Sequence, residues 1–324
     1  MISVRAFLSI TAVLVLSSME FLIPEARAAK LPVPPAASAA INKIYSGDAE
    51  SAIDNARRMQ QEQPEHPLGY LLEGEALWWR IWCTSADFKW GMSDARHRPK
   101  LAADQHYFDL AGKVSKLAGA QLKQRENPEM QFYAGMGDAM AARLYALRGE
   151  NRSAARAGVR AREHFLRART LDPELADADL GLGLYNYYVD TLGAIARVLR
   201  FFMGIPGGSK QEGIRQLQHV IAHGVLTSDA ARFYLALNLH RYDQRYEEAL
   251  AVISPLVEKY PSNALFQSAR GDLFAKLGRK EQALACYRAA GALTIRDPEC
   301  RRHMEELVRA SLAALGASSD SASH

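Results

Sequence analysis

His219 and His223 stand four residues apart, so on a helix both imidazoles share a face and could reach one metal ion. No glutamate follows His219, which removes the zinc-protease pattern. The pair flanks the apolar position Val220, so both rings are expected to face outward with no metal between them. Gly204-Ile205-Pro206-Gly207-Gly208-Ser209-Lys210 superficially suggests a phosphate loop, but no glycine directly precedes the lysine and no strand leads into it. A turn running into a helix cap is expected there. Gly181 and Gly183 fall within a helical pattern and make no dinucleotide turn. There is no nucleophile elbow, and the acidic residues are too scattered to single out a catalytic pair. No catalytic residue, cofactor or metal is therefore expected. Trp78, Trp79, Trp82 and Trp90 cluster, with Trp78 and Trp82 on one helix face and Trp79 on another. Core packing is expected of them, and a groove for a peptide or sugar is the alternative. Of the three cysteines, Cys286 and Cys300 lie on consecutive helices, where a bridge is possible; otherwise all three are small buried side chains.

These residues need elements to carry them. From about Ser38 to Leu315 the chain has helical periodicity and no convincing period-two alternation. Gly271, Gly278, Ala283, Tyr287 and Ala290 fall at positions 8, 15, 20, 24 and 27 of a 34-residue helix-turn-helix unit, which is the tetratricopeptide spacing. Small residues let the paired helices approach, and Gly278 can take the positive φ of the turn. Looser matches run outward from this unit. Gly47, Ala52 and Ala56 fit a first repeat, Tyr70 and Gly74 a second, and Tyr133, Gly137, Ala161 and Phe165 a third. Gly181, Gly213 and Leu217 fit a fourth, and Phe233, Ala249 and Ile253 a fifth. The third carries about twelve extra residues, which longer helices would absorb. Asn127-Pro128-Glu129, Asp172-Pro173-Glu174 and Asp297-Pro298-Glu299 each read as a helix start, and Ser209 with Glu212 as a capping box. Glu299 to Leu315 would cap the exposed end. The expectation is an all-α, TPR-like right-handed α-solenoid of about six irregular helix pairs with a capping helix, spanning 38–316.

Before the solenoid, Arg5 and the apolar run Ala6 to Ser17 resemble a signal peptide. Ala26 and Ala28 sit at −3 and −1 of a small-residue cleavage site. Residues 1–28 would be removed, 29–37 would be a linker, and 317–324 a disordered tail. An exported, periplasmic protein is expected. The net charge of +4, from 40 basic and 36 acidic residues, is too even for a nucleic-acid groove.

Asp179-Leu180-Gly181-Leu182-Gly183-Leu184-Tyr185-Asn186-Tyr187-Tyr188 precedes an apolar insert at about 191–208, and Gly213-Ile214-Arg215-Gln216-Leu217 follows it. This order resembles exported bacterial tetratricopeptide-repeat proteins and, more distantly, a eukaryotic tetratricopeptide family that includes a mitochondrial outer-membrane protein. The resemblance implies an interaction protein and carries over no catalytic residue. A protein or peptide would lie in the concave groove lined by the first helix of each pair. Candidate positions are Tyr70, Leu77, Tyr133, Met140 and Leu184, continuing through Tyr187, Phe233, His240 and Phe274. The insert, with Leu199, Phe201 and Phe202, is expected to fold back onto the superhelix; membrane or partner contact through 192–205 is the alternative. A cell-wall hydrolase on a helical superhelix is a further alternative, which would need a buried acid of raised pKa in a cleft.

Overall fold

The computed structural model describes residues 31–86, 88, 103–191 and 205–316, and among them thirteen α-helices and no strand. The signal-peptide and cleavage-site residues, Trp90, the insert positions Leu199, Phe201 and Phe202, and the tail 317–324 lie outside the described residues. The first two pairs are α1 (Pro35–Tyr45) with α2 (Ala49–Glu62) and α3 (Pro67–Ser85) with α4 (Ala103–Leu122). The third is α5 (Pro128–Leu147) with α6 (Asn151–Leu171), whose lengths of 20 and 21 residues absorb the extra sequence. Then come α7 (Asp179–Thr191) with α8 (Lys210–His223), α9 (Ser228–Asn238) with α10 (Tyr246–Lys259), and α11 (Ala264–Lys276) with α12 (Lys280–Gly291). Helix α13 (Pro298–Ala314) covers the last pair, with Cys300, Met304 and Val308 packed among Ala283, Tyr287 and Ala290. Each helix packs on the next along the chain, which is the antiparallel stacking of a TPR-like solenoid. Helix α1 starts at Pro35, inside the stretch expected to be a linker.

The glycines explain how closely the pairs approach. A Cβ at Gly271 would lie 2.8 Å from the Tyr287 ring, which is held by a 2.7 Å hydrogen bond from its hydroxyl to Asp272. Gly137 meets Ser115 and the Ala111 carbonyl of α4. Gly278 has φ +71° at its turn, and Gly47 and Gly149 make the same left-handed turns at +83° and +76°. Gly271→Leu is therefore expected to lower the thermal midpoint clearly, by overpacking worth about 1–3 kcal/mol. An unchanged melting curve would mean that the repeat register is wrong.

Two of the three Pro-containing starts work as helix caps: the side chains of Asn127 and Asp297 each accept two backbone N–H bonds at the heads of α5 and α13. Asp172 does not begin a helix. It caps the end of α6, a 3-10 turn follows at Ala176–Ala178, and α7 waits until Asp179. The reason lies in Asp177, which is buried. Its carboxylate accepts from the backbone N–H groups of Val225, Leu226 and Thr227 and from the Thr227 hydroxyl, so the turn is tied to the loop before α9. At α8 the capping box is half made. The Ser209 hydroxyl accepts from the Glu212 N–H, while the Glu212 side chain pairs with Arg215.

The superhelix closes on itself. Trp79 of α3 packs edge-on against Phe233 of α9 and Phe266 of α11, with ring centroids 4.8 and 5.6 Å apart. Trp82 meets Phe233 at 5.2 Å, and the Trp78 indole N–H donates to the Tyr234 hydroxyl at 2.7 Å. Helix α1 joins the same seam, where Asn263 donates to the Tyr45 carbonyl and Ser262 to that of Ser46. The Arg80–Asp297 ion pair at 2.7 Å and a disulfide between Cys83 and Cys300 tie α3 to α13. This corrects the bridge considered between Cys286 and Cys300. Helix α13 folds back across α3, bringing the Cα atoms of Cys83 and Cys300 to 5.0 Å, while Cys286 stays free and buried beside Gly271.

Candidate functional site

The closure decides which surfaces are open. Helices α1, α3, α9 and α11 are the first members of their pairs, and their inward side chains meet one another and form the core. Leu77, Tyr133, Met140, Tyr187, Phe233 and His240 are buried, Phe233 at the meeting of these helices and Tyr133, Met140 and Tyr187 where α5 and α7 pack on their neighbours, which corrects their assignment to an open groove. Phe233 lies in the middle of the aromatic seam. The Met140 side chain fills the space beside Gly74. Tyr133 stacks edge-on with His66, and His240 packs on Phe88. The Tyr187 hydroxyl is held at 2.9 Å by Asp243. Leu184 and Phe274 are half-buried against the core, and Tyr70 is half-exposed. The tryptophans expected to be core, Trp78, Trp79 and Trp82, are all buried.

Tyr70 borders an open depression of about 600 Å³ across α2, α3 and α4. Its volume falls within the range of small-molecule and peptide sites. Arg57, Gln60 and Gln61 form the α2 wall, and His106, Asp109 and Lys113 the α4 wall; Tyr70, Glu73 and Leu110 make the floor. The order of the helices produces this. On α2, residues 57, 60 and 61 share one face at i, i+3 and i+4, and on α4 so do 106, 109, 110 and 113.

Glu73 organises the depression. Only 2% of its side chain is exposed, and both its oxygens are occupied. Oε1 accepts from Arg57 Nε at 2.9 Å and contacts His106 Nε2 at 2.9 Å, while Oε2 accepts from Gln60 Nε2 at 2.7 Å. Burial pushes the Glu73 carboxyl up, but the hydrogen bonds from Gln60 and His106 and the Arg57 charge outweigh it and hold it below its ordinary value. The group so fixes three side chains on the rim, with Arg57 54% and His106 48% exposed. Further along, the Lys113 ammonium sits 5.3 Å from the centre of the Tyr70 ring, whose hydroxyl donates to the Pro64 carbonyl.

A folded-state carboxyl held below its unfolded value stabilises the protein fully above the unfolded value, and that contribution is lost as pH falls through the folded one. Glu73→Gln removes this titration. The stability gap between wild type and Glu73→Gln is expected to be largest near neutrality and to shrink as urea titrations move below about pH 4. A gap independent of pH would show that Glu73 is not an ionised anchor.

His219 turns its Nδ1 to Asp179 at 2.8 Å, with the His223 ring 4.9 Å away, and Arg169 pairs with the same carboxylate at 3.1 Å. Among the described residues, no group of three His, Cys, Asp or Glu is placed to hold a metal ion. Burial raises the Asp179 carboxyl, against the His219 hydrogen bond and the Arg169 charge. Asp179 lines neither the depression nor the small crevice of about 50 Å³ beside the disulfide. A hydrolase would need its raised acid in a cleft. Among the described residues, Glu73 in the depression is lowered, and Asp179, which is raised, lines neither of these two cavities.

Of this site, only Tyr70 was expected from the sequence. Glu73 carried a signal, as an acid directly after the apolar run Leu71-Leu72 on a helix that is buried almost all round, shared with Glu75 two residues on. Such a position requires a buried partner for the charge. Neither a protein-family model nor a curated protein matches the chain. Among solved structures, yeast Tom70 is similar over 88% of this chain and 90% of that one, at 10% identity and a TM-score of 0.29. So loose a likeness adds nothing to the helix-pair geometry, which by itself makes the chain an all-α, TPR-like solenoid.

Proposed function

We propose that the chain is an exported, non-catalytic scaffold that binds a protein partner by taking a peptide segment of it into the depression across α2, α3 and α4. The carrying observation is the pairing of a filled concave side with an open, polar-lined depression on the outer side, where Glu73 holds Arg57, Gln60 and His106 in place before any ligand arrives. Side chains fixed in advance reduce the ordering cost of binding. Helical repeats commonly serve as such surfaces. Export is supported by the leader-like residues before Ala29 and by the Cys83–Cys300 bridge, which suits an oxidising compartment. No described helix is long and apolar enough to cross a membrane.

The test is site-specific photo-crosslinking in the exporting cell, with a benzophenone side chain at exposed Gln61 on the depression and, as a control, at exposed Arg309 on α13. A discrete adduct at Gln61 that is absent at Arg309 is the expected result. Equal labelling at both sites, or none at Gln61, would overturn the reading.

A further inference from the structure

The Cys83–Cys300 bridge borders the small crevice of about 50 Å³, which both cysteines line. That is room for a few water molecules. Gly47, Glu50 and Arg296 on its rim are exposed, so the crevice opens to solvent and a small molecule can approach the bridge. The two ends of the bridge are not equivalent. Cys300 is 6% exposed and packs among Ala283, Tyr287, Met304 and Val308, whereas Cys83 is partly exposed. Cys300 is the third residue of α13, and Cys83 is the third from the end of α3. The positive end of one helix dipole therefore lies at Cys300 and the negative end of another at Cys83. A thiolate is stabilised at a helix N-terminus and disfavoured at a C-terminus. Of the two acids beside Cys300, Asp297 is paired with Arg80 at 2.7 Å and Glu299 is exposed to solvent.

Thiol–disulfide exchange begins with attack by a thiolate. It is faster at the more accessible sulfur and where the departing thiol is the more acidic. Here access and leaving group select the same sulfur. We infer that Cys83 is a modification site, at which a small external thiol exchanges with the bridge. The external thiolate bonds to Cys83 Sγ and the bond to Cys300 breaks. The electron pair leaves on Cys300 Sγ, which then takes a proton from water. One disulfide is consumed and one is formed, so no oxidant or reductant is required. Cys300 is left as a neutral thiol in apolar surroundings, which suit it. Attack at the other end would place the adduct on the cysteine packed among Tyr287 and Met304. The exchange unties α13 from α3, so the last helix of the superhelix is held by a tether that a thiol can release.

The test treats the full mature chain with mercaptoethanol in native buffer at about pH 8, near the ionisation of an ordinary thiol. Samples are quenched in acid at early times, and peptide mapping by mass spectrometry locates the adduct. An excess of about fivefold on Cys83 over Cys300 is expected, the factor that one favourable helix-end charge interaction supplies. In a parallel sample without thiol, N-ethylmaleimide labelling of the free, buried Cys286 times any opening of the whole chain. The Cys83 adduct is expected to form well before that label. An adduct shared equally, or found mainly on Cys300, overturns the assignment. So does an adduct that forms only as fast as Cys286 is labelled, because the bridge would then be reached through unfolding. A chain isolated with Cys83 and Cys300 as free thiols overturns it as well. All arms use the wild-type chain, so no variant has to fold.

Discussion

Gly213→Ala is expected to be among the most damaging single substitutions in the chain, although it adds one methyl group. Helices α7 and α8 cross with their backbones in contact. An added Cβ would stand 2.6 Å from the Gly183 carbonyl oxygen and 2.8 Å from the Tyr187 nitrogen. Neither is the far end of a flexible side chain, so the helices themselves must separate. Gly183 faces Leu217 and the Gly213 carbonyl on the reverse side of the same crossing, which leaves no room for compensation. The cost should be about 3 kcal/mol or more, at the upper end of overpacking effects. Denaturant titration of the purified variant measures it. A loss below about 1 kcal/mol would mean that α7 and α8 do not cross at these glycines.

The second large effect is expected at the bridge. Cys83 and Cys300 are 217 residues apart, and they join the third helix to the last. Removing so long a cross-link should cost about 2–5 kcal/mol, chiefly through the greater freedom of the unfolded chain. The double variant Cys83→Ser, Cys300→Ser should melt well below wild type, and adding a thiol reductant should lower the wild-type midpoint towards that of the variant while leaving the variant unmoved. Ion pairing of Arg80 with Asp297 and the contact of His303 with the Cys83 carbonyl would then remain between α3 and α13, beside the aromatic packing of α3. A wild-type midpoint insensitive to reductant would show that the bridge does not form.

Local features of the fold were legible in the sequence. The small residues at fixed positions located the helix pairs, because only glycine or alanine permits those approaches. Gly278 announced a left-handed turn, and Asn127 and Asp297 announced helix starts. The closure was not legible. Trp79, Phe233 and Phe266 each look like an ordinary inward residue of a first helix, and nothing in a 34-residue period states how tightly successive pairs curl. Their meeting depends on the summed rotation of several pairs, with α3 and α9 more than 140 residues apart. The cysteine pairing was not legible for the same reason: nearness along the chain brought only a Cys286–Cys300 bridge into view, against three free buried cysteines, and the Cys83–Cys300 pair depends on α13 folding back across α3. Asp172 failed as a helix start because its neighbour Asp177 is engaged with a distant loop. The nine groove positions followed from an open superhelix, and six of them are core, some through the closure and some, such as Tyr133 and Met140, through packing on neighbouring helices. Tyr70 remained because it lies on the outer side of α3, between α2 and α4.

On the proposed reading, a TPR-like superhelix with a filled interior binds its partner on the outer depression. Amide hydrogen exchange of the mature chain, with and without the partner captured at Gln61, tests it most directly. Added protection confined to α2, α4 and the Tyr70 end of α3 is the predicted result, with the amides of α9 and α11 as slow to exchange in the free protein as in the complex. Fast exchange across α9 and α11 in the free chain that slows on binding would contradict it, because the partner would then occupy the concave side that Trp79, Phe233 and Phe266 fill.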